Sequence, residues 1–187
     1  MPRVDVISAI ASYLEAGMDQ GKIPSLSTVY PYPPKITKGT ALYEGQPPGS
    51  PDGSVIYLYL SGQAETRIST GGQHSGRKAR TYKLSLICYY RWVGSKSEDA
   101  GLGSNQFIDG LTAWIQADRN AGTEAAALGG FGPYAGTGTI FSWGEGPGPD
   151  LAGPDITVNS MFPRDFGGQI MQVFSIVEVD VIEILAT

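Results

Sequence analysis

The residues of this chain most able to do chemistry are one histidine, one cysteine and a short run of carboxylates. His74 is the only histidine and lies in the glycine-rich stretch GGQHSGRKAR, residues 71–80, and Cys88 is the only cysteine. A Ser-His-Asp site would need a nucleophile held at a strained turn, and no such segment lies near His74. An exposed turn histidine is the simpler interpretation. Cys88 alternates with apolar residues and is better explained by core packing than by nucleophilic chemistry.

The carboxylates of Glu178, Asp180 and Glu183 lie in the last apolar run of the chain. Glu178 and Asp180 share one face of a predicted strand, where they could form a hard-cation site or an acid pair. Without a third convergent group, a charged surface or a subunit contact is the favoured interpretation. The glycine-rich stretches also lack the lysine and the strand–turn–helix context of phosphate-binding loops. We therefore expect no active site, no metal site and no cofactor.

Basic residues are concentrated in the first half of an acidic chain. The 187 residues carry a net charge of −5, yet residues 1–97 hold eleven Lys and Arg against six Asp and Glu, whereas residues 98–187 hold two against twelve. A basic patch attracts phosphate, but an acidic chain is unlike an autonomous DNA-binding module. We expect weak contact with passing DNA, or a contact between the basic surface of one subunit and the acidic surface of the next. An uneven spread of solvated charges is the alternative.

Length and composition predict a single domain, residues 1–187, that is rich in loops. Hydrophobic residues make up 41% of the chain and charged residues 17%, with 26 glycines and 13 prolines. One cysteine excludes an internal disulfide and a multi-cysteine metal site. The sequence shows neither a signal peptide nor an apolar run of about 18 residues. It predicts a protein made in a reducing cytoplasm and lacking a membrane span.

Two helices are predicted from apolar residues at three-and-four spacing. The first lies within residues 4–24, where Gly21 and Pro24 end it. The second lies within residues 97–122, with Gly122 as its expected end. Each helix has one apolar stripe, which favours packing against a sheet.

Two long segments, residues 53–70 and 79–94, predict an antiparallel pair of strands joined by the glycine-rich stretch. The first half of residues 53–70 is apolar on both faces and is expected to be covered on both sides. Its continuation, from Gln63 to Arg80, is too polar to be buried in its own domain. It predicts a projecting hairpin with a charged tip.

The remaining segments predict shorter strands and one long strand. Residues 25–36 favour an edge strand, because their prolines cannot donate to a ladder. Residues 139–143 and 155–163 predict short strands, and residues 167–185 a closing strand covered by helices on one side and by a neighbour on the other. Residues 122–155 predict a long Gly/Pro-rich loop. The whole pattern predicts an α+β fold, a mainly antiparallel sheet with a long projecting β-hairpin and two helices packed on one face.

The order of these elements resembles tail terminator proteins of long-tailed bacteriophages with non-contractile tails. The resemblance covers most of the chain and is carried by the segments VYPYPPK, VIYLYLSGQAETR, GRKARTYKLSLICYYRW, FIDGLTAWIQAD and VFSIVEVDVIEIL. It implies a structural virion protein of the tail or neck, assembled in the host cytoplasm, that forms a ring, expected to be hexameric, on the tail tube. Such a ring stops polymerisation of the major tail tube protein and meets the head–tail connector or stopper protein, while genomic DNA passes through its lumen.

On this resemblance, charged residues of the predicted hairpin and of the closing strand are expected at a subunit interface or near the lumen: Arg67, His74, Arg77, Lys78, Arg80, Glu178, Asp180 and Glu183. Each subunit of a head-to-tail ring carries two complementary surfaces. The long loop departs from the compact loops of the family. A head–tail stopper, another neck protein or a tail completion protein is therefore the alternative, and a DNA-binding accessory protein is a further one.

Overall fold

The computed structural model describes residues 3–32, 53–67, 77–94, 96–117, 140–143, 155–165 and 170–186. These residues form two α-helices, α1 (Arg3–Asp19) and α2 (Ser97–Ala117), and seven β-strands. In chain order the strands are β1 (Leu26–Tyr30), β2 (Gly53–Arg67), β3 (Arg77–Val93), β4 (Ile140–Trp143), β5 (Thr157–Ser160), β6 (Arg164–Asp165) and β7 (Ile170–Ala186).

Helix α1 is followed by a glycine in a left-handed conformation, at the position that the sequence predicts. Gly21 has a φ of 65°. Its amide donates to the carbonyl of Met18, and the amide of Lys22 donates to the carbonyl of Gly17, each at 2.9 Å. These two bonds form a Schellman motif, which satisfies carbonyls at the end of a helix. A residue without a Cβ adopts this φ at no steric cost.

The two helices contact each other through Tyr13 and Trp114. The Tyr13 hydroxyl donates to the Trp114 carbonyl at 2.8 Å, and the Trp114 indole donates to the Tyr13 carbonyl at 3.3 Å. Gly17 makes the approach possible, because a Cβ there would lie 2.8 Å from the indole nitrogen. The predicted apolar face of α2 is confirmed, since four of its side chains are buried: Phe107, Ile108, Leu111 and Ile115.

All seven described strands belong to one mostly antiparallel sheet. The strand order is β1-β2-β3-β7-β4, and β5 and β6 also pair with β7. The pairing of β1 with β2 is parallel, and β1 is the outermost described strand, as the prolines that follow it in the sequence predict. β4 lies within the predicted residues 139–143, and the rest of the predicted loop up to residue 154 lies outside the described residues. The predicted α+β fold is confirmed.

The strands β2 and β3 pair antiparallel, and the last pair of their ladder joins Arg67 to Lys78. The strand β7 runs beside β3 over the same stretch and pairs with it as far as Arg77, opposite Ala186. The polar continuation of β2 is therefore part of a three-stranded region of the sheet, and a long projecting hairpin is not confirmed. The turn at residues 68–76 lies outside the described residues.

The helices pack on one face of the sheet, here called the helix-covered face, and the opposite face is called the outer face. Alternation along the strands sends every second side chain into the core under the helices. The sheet residues of this core include Ile56, Leu58, Tyr82, Leu84, Leu86, Cys88, Tyr90, Val173, Val177, Val179 and Val181. Alternation along residues 79–94 predicts one shared face for Tyr82, Leu84, Leu86, Cys88 and Tyr90, and this face is the core face.

Candidate assembly interface

Four aromatic rings form a row across the outer face, one on each of four neighbouring strands. Tyr30 stacks on Tyr57 with ring centroids 5.1 Å apart. Tyr57 meets Tyr89 edge to face at 5.7 Å, and Tyr89 lies 5.0 Å from Phe174. Ring pairs at these separations contribute about 0.5–1.5 kcal/mol each beyond the area they bury. The aromatic row is therefore a continuous apolar band of contacting rings across β1, β2, β3 and β7.

The outer face is covered unevenly. Tyr57 is 2% exposed, whereas Tyr59, two residues further along β2, is 52% exposed. The other large apolar side chains around the row are half-buried: Tyr30, Ile87, Tyr89, Phe174 and Ile176. Large apolar side chains that remain partly in water on a sheet face are typical of a contact with another protein.

The two central phenols of the aromatic row, those of Tyr57 and Tyr89, stay uncharged over the physiological pH range. Burial, together with the nearby phenols of Tyr30 and Tyr89, raises the pKa of Tyr57 to about 12. Burial also raises the pKa of Tyr89. Both phenols therefore remain protonated, and covering them does not require burying a charge, which would be costly.

Towards the other end of the strands the outer face becomes polar. Lys83 lies opposite Asp180, and Ser85 lies opposite Glu178. Glu178 and Asp180 are exposed and share this face, as predicted. The region forms a shallow cleft of about 220 Å³, with three further polar residues in its lining, Ser61, Asp155 and Thr157. Within the described ranges no three His, Cys, Asp or Glu side chains are grouped so that they could hold a metal ion.

Arg80, from the predicted basic patch, is engaged within its own chain. Its Nη2 lies 3.0 Å from Oε2 of Glu65 across the β2–β3 ladder. Its Nη1 donates to the Tyr82 hydroxyl at 3.3 Å. On β7 its register partner is Glu183. The positive charge of Arg80 is thus met by Glu65 of the same subunit, on the helix-covered side of the sheet.

The eight predicted interface residues do not form one cluster. Glu178 and Asp180 lie on the outer face, while Arg80 lies on the opposite side with Tyr82. Three basic residues sit at the same end of the sheet by register, since Arg67 pairs with Lys78 and Arg77 follows next to it. His74 lies outside the described residues.

A second cleft, which the sequence did not indicate, lies where β7 meets the β5–β6 connection. Its volume is about 280 Å³, and its lining residues are Tyr89, Met161, Phe162, Arg164, Gln172 and Phe174. Phe162 is 92% exposed. Gln172 is 6% exposed, and its amide nitrogen is buried without a hydrogen-bond partner among the described residues. The sequence signal for this cleft is the adjacent apolar pair Met161 and Phe162 in the segment SMFP. Alternation alone does not show whether such a pair is exposed or buried.

Cys88 contributes to neither cleft. Its side chain is 1% exposed in the core, and its thiol lies 3.6 Å from the carbonyl oxygen of Leu86. Burial raises the pKa of the thiol, so it stays protonated and out of reach of solvent. The predicted role in core packing is confirmed. Among the described helices, neither is long and apolar enough to cross a membrane.

Compared with protein-family models and with curated proteins, the chain matches none. Its function is therefore inferred from the surfaces of the molecule and from the order of its elements.

Proposed function

We propose that this protein is a structural subunit that assembles with copies of itself into a tail terminator ring. The observation that carries the proposal is the aromatic row on the outer face, where no described helix covers the sheet. Apolar area removed from water stabilises an association by about 25 cal/mol per Å². A partner that covers the half-buried rings would gain this free energy without burying a charge.

The resemblance of the element order to tail terminators gives the proposal its particular form. The ring of six subunits caps the tail tube, stops polymerisation of the tube protein and offers a surface to the head–tail connector or stopper protein. Genomic DNA passes through the lumen, so the lumen must not hold it tightly. The ion pair between Arg80 and Glu65 is consistent with this requirement, because it lowers the net positive charge of the polar end of the sheet.

The first test is the mass and shape of the purified protein. Light scattering behind a sizing column and negative-stain electron microscopy are applied to the protein alone and with purified tail tube protein. We expect a closed ring of about six subunits with a central hole, formed either alone or on the end of the tube. A protein that remains monomeric in both conditions would exclude the proposal. A protein that binds the connector but leaves tube growth unchanged would be a stopper instead.

The predicted basic patch is tested in the same assay by a triple variant, Arg77→Ala, Lys78→Ala and Arg80→Ala. We expect weaker ring formation or weaker joining to the tube. The control is Lys22→Ala with Lys96→Ala, which removes two exposed positive charges outside the sheet. If the triple variant assembles like the wild type, these three residues have no role in the interface.

A further inference from the structure

Two exposed apolar features lie at opposite edges of the sheet. Tyr32 lies two residues beyond the end of β1, the outermost described strand on one side, and is 48% exposed. The cleft beside Phe162 lies on the other side, where β5 and β6 pair with β7. The strands β2, β3 and β7 separate the two edges. A head-to-tail contact between copies needs two different surfaces placed in this way, and repeating the contact closes a ring.

We infer that the cleft beside Phe162 binds the side chain of Tyr32 from a neighbouring copy, and that this contact joins the subunits. The inference rests on the proposed function, because it names the residues through which copies of the chain assemble.

The chemistry of the cleft suits a phenol. Tyr89 and Phe174 provide aromatic walls, and ring pairs favour offset or edge-to-face contacts. The buried amide nitrogen of Gln172, which has no partner among the described residues, can donate to the hydroxyl oxygen of the incoming tyrosine. A buried donor that gains its first hydrogen bond on association strengthens that association. At about 280 Å³ the cleft is slightly smaller than the pockets that hold drug-sized ligands, roughly 300–1,000 Å³, and suits one aromatic side chain.

Tyr32 is well placed to act as the inserted side chain. Pro31 and Pro33 flank it in the sequence, and each proline restricts its own φ and the backbone of the residue before it. Less backbone conformational entropy is then lost when a partner binds the Tyr32 side chain. Exposed tyrosines inserted into a desolvated pocket are frequent hot spots of protein interfaces.

The charges of the chain favour this edge-to-edge arrangement of copies. Tyr32 lies within residues 20–43, which hold three lysines and no acidic residue, and the β5–β6 side of the cleft lies within residues 144–169, which hold four Asp and Glu against Arg164 alone. Opposite net charges on these two segments attract the Tyr32 edge of one copy to the cleft edge of the next and oppose contact between two like edges. A second copy of the chain is therefore the occupant that these observations favour.

The test uses one variant that removes the inserted side chain and one that blocks the cleft. Tyr32→Ala keeps an intact cleft, and Phe162→Asp keeps an intact Tyr32; both positions are exposed, so we expect both variants to fold, as circular dichroism will show. We expect neither variant alone to form rings at the concentration where the wild type does. An equimolar mixture should form heterodimers and nothing larger, because each pair then has one complete contact. The control Glu15→Ala, which truncates an exposed side chain on α1 rather than on the outer face, should form normal rings.

A third variant, Gln172→Met, separates binding from folding. It removes the buried donor with little change in volume, so we expect an unchanged or higher Tm of the monomer together with about tenfold weaker assembly. A Tm that falls in step with assembly would assign Gln172 a structural role and overturn its part in the contact.

The outcomes separate the two proposals. If the wild type forms rings but the Tyr32→Ala and Phe162→Asp variants also do, the contact is wrong and the ring stands. If both variants form rings but fail to cap the tail tube, the cleft binds the tube protein and the inference about copies is overturned. If the wild type stays monomeric even with tube protein, the proposed function and the inference both fail.

Discussion

On β3, Leu86 and Ile87 are neighbours in the chain, but they lie on opposite faces of the sheet. Leu86 is 0% exposed beneath the helices, whereas Ile87 is half-buried beside the aromatic row. Both faces are apolar because the sheet is covered by helices on one side and, on our proposal, by another protein on the other. A strand with apolar residues at successive positions thus indicates two covered faces, and among the described residues the helices supply only one of the covers.

The largest expected difference between the two faces is in the free energy of unfolding when Leu86 or Ile87 is truncated to alanine. Leu86→Ala should lower the free energy of unfolding of the monomer by about 2–5 kcal/mol, because it leaves a cavity in the core. Ile87→Ala should lower it by about 1–2 kcal/mol, since part of the side chain is already in water. Urea unfolding of both variants, at concentrations below assembly, measures the difference. Equal losses would show that the outer face is as well packed in the monomer as the core.

The next effect concerns pH and the buried phenol of Tyr57. Its pKa is about 12 in the folded chain, against about 10 in an unfolded chain. Above pH 10 the unfolded chain releases this proton while the folded chain keeps it, so the contribution of Tyr57 to stability is complete below pH 10 and is lost as the pH rises towards 12. The loss is roughly 2–3 kcal/mol. Denaturant unfolding at pH 8, 10 and 11.5 measures it.

The variant Tyr57→Phe should remove the part of the loss that comes from this phenol and retain the part that comes from Cys88 and Tyr89, whose pKa values burial also raises. The control Tyr59→Phe, at an exposed position of the same strand, should retain the whole loss. Equal losses of stability between pH 8 and 11.5 in the wild type and in Tyr57→Phe would show that the outer face around Tyr57 is open to water.

The smallest effect is expected from the ion pair on the other side of the sheet. Glu65→Gln should lower the free energy of unfolding by about 0.2–1 kcal/mol, because Arg80 and Glu65 are both partly exposed. The loss should shrink in 1 M salt, where charges are screened within about 3 Å. The control is Glu15→Gln, an exposed carboxylate on α1. A larger loss that salt does not change would indicate that the pair is buried under another part of the chain.

The elements and the faces of this fold are readable from the sequence because both depend on local periodicity. Alternation in residues 79–94 places Tyr82, Leu84 and Leu86 on one face, and that face is the core. Three-and-four spacing likewise locates both helices, and a glycine follows α1 where a left-handed residue is needed. These signals work because period 2 and period 3.6 are set by backbone geometry.

Local periodicity does not predict which residues of neighbouring strands lie opposite each other. A bulge between Leu60 and Gly62 shifts the phase of β2 by one residue, so that Glu65 lies opposite Arg80. Simple alternation would place Glu65 on the same face as Tyr57 and Tyr59. One inserted residue therefore turns an expected outer-face charge into the partner of Arg80. The cleft beside Phe162 was missed for a similar reason, since it depends on how β5 and β6 pair with β7.

The central position of β3 has a consequence for the order in which the chain folds. One of its two neighbours, β2, is close in sequence, whereas β7 follows only after α2 and the strands β4 to β6. While the chain is being synthesised, β3 is an edge strand that could pair with the β3 of another nascent chain. Positive side chains on an edge oppose such pairing, and β3 carries five of them: Arg77, Lys78, Arg80, Lys83 and Arg91. The basic residues near the glycine-rich stretch thus oppose pairing between unfinished chains. Their effect is needed until β7, which carries acidic residues, pairs with β3.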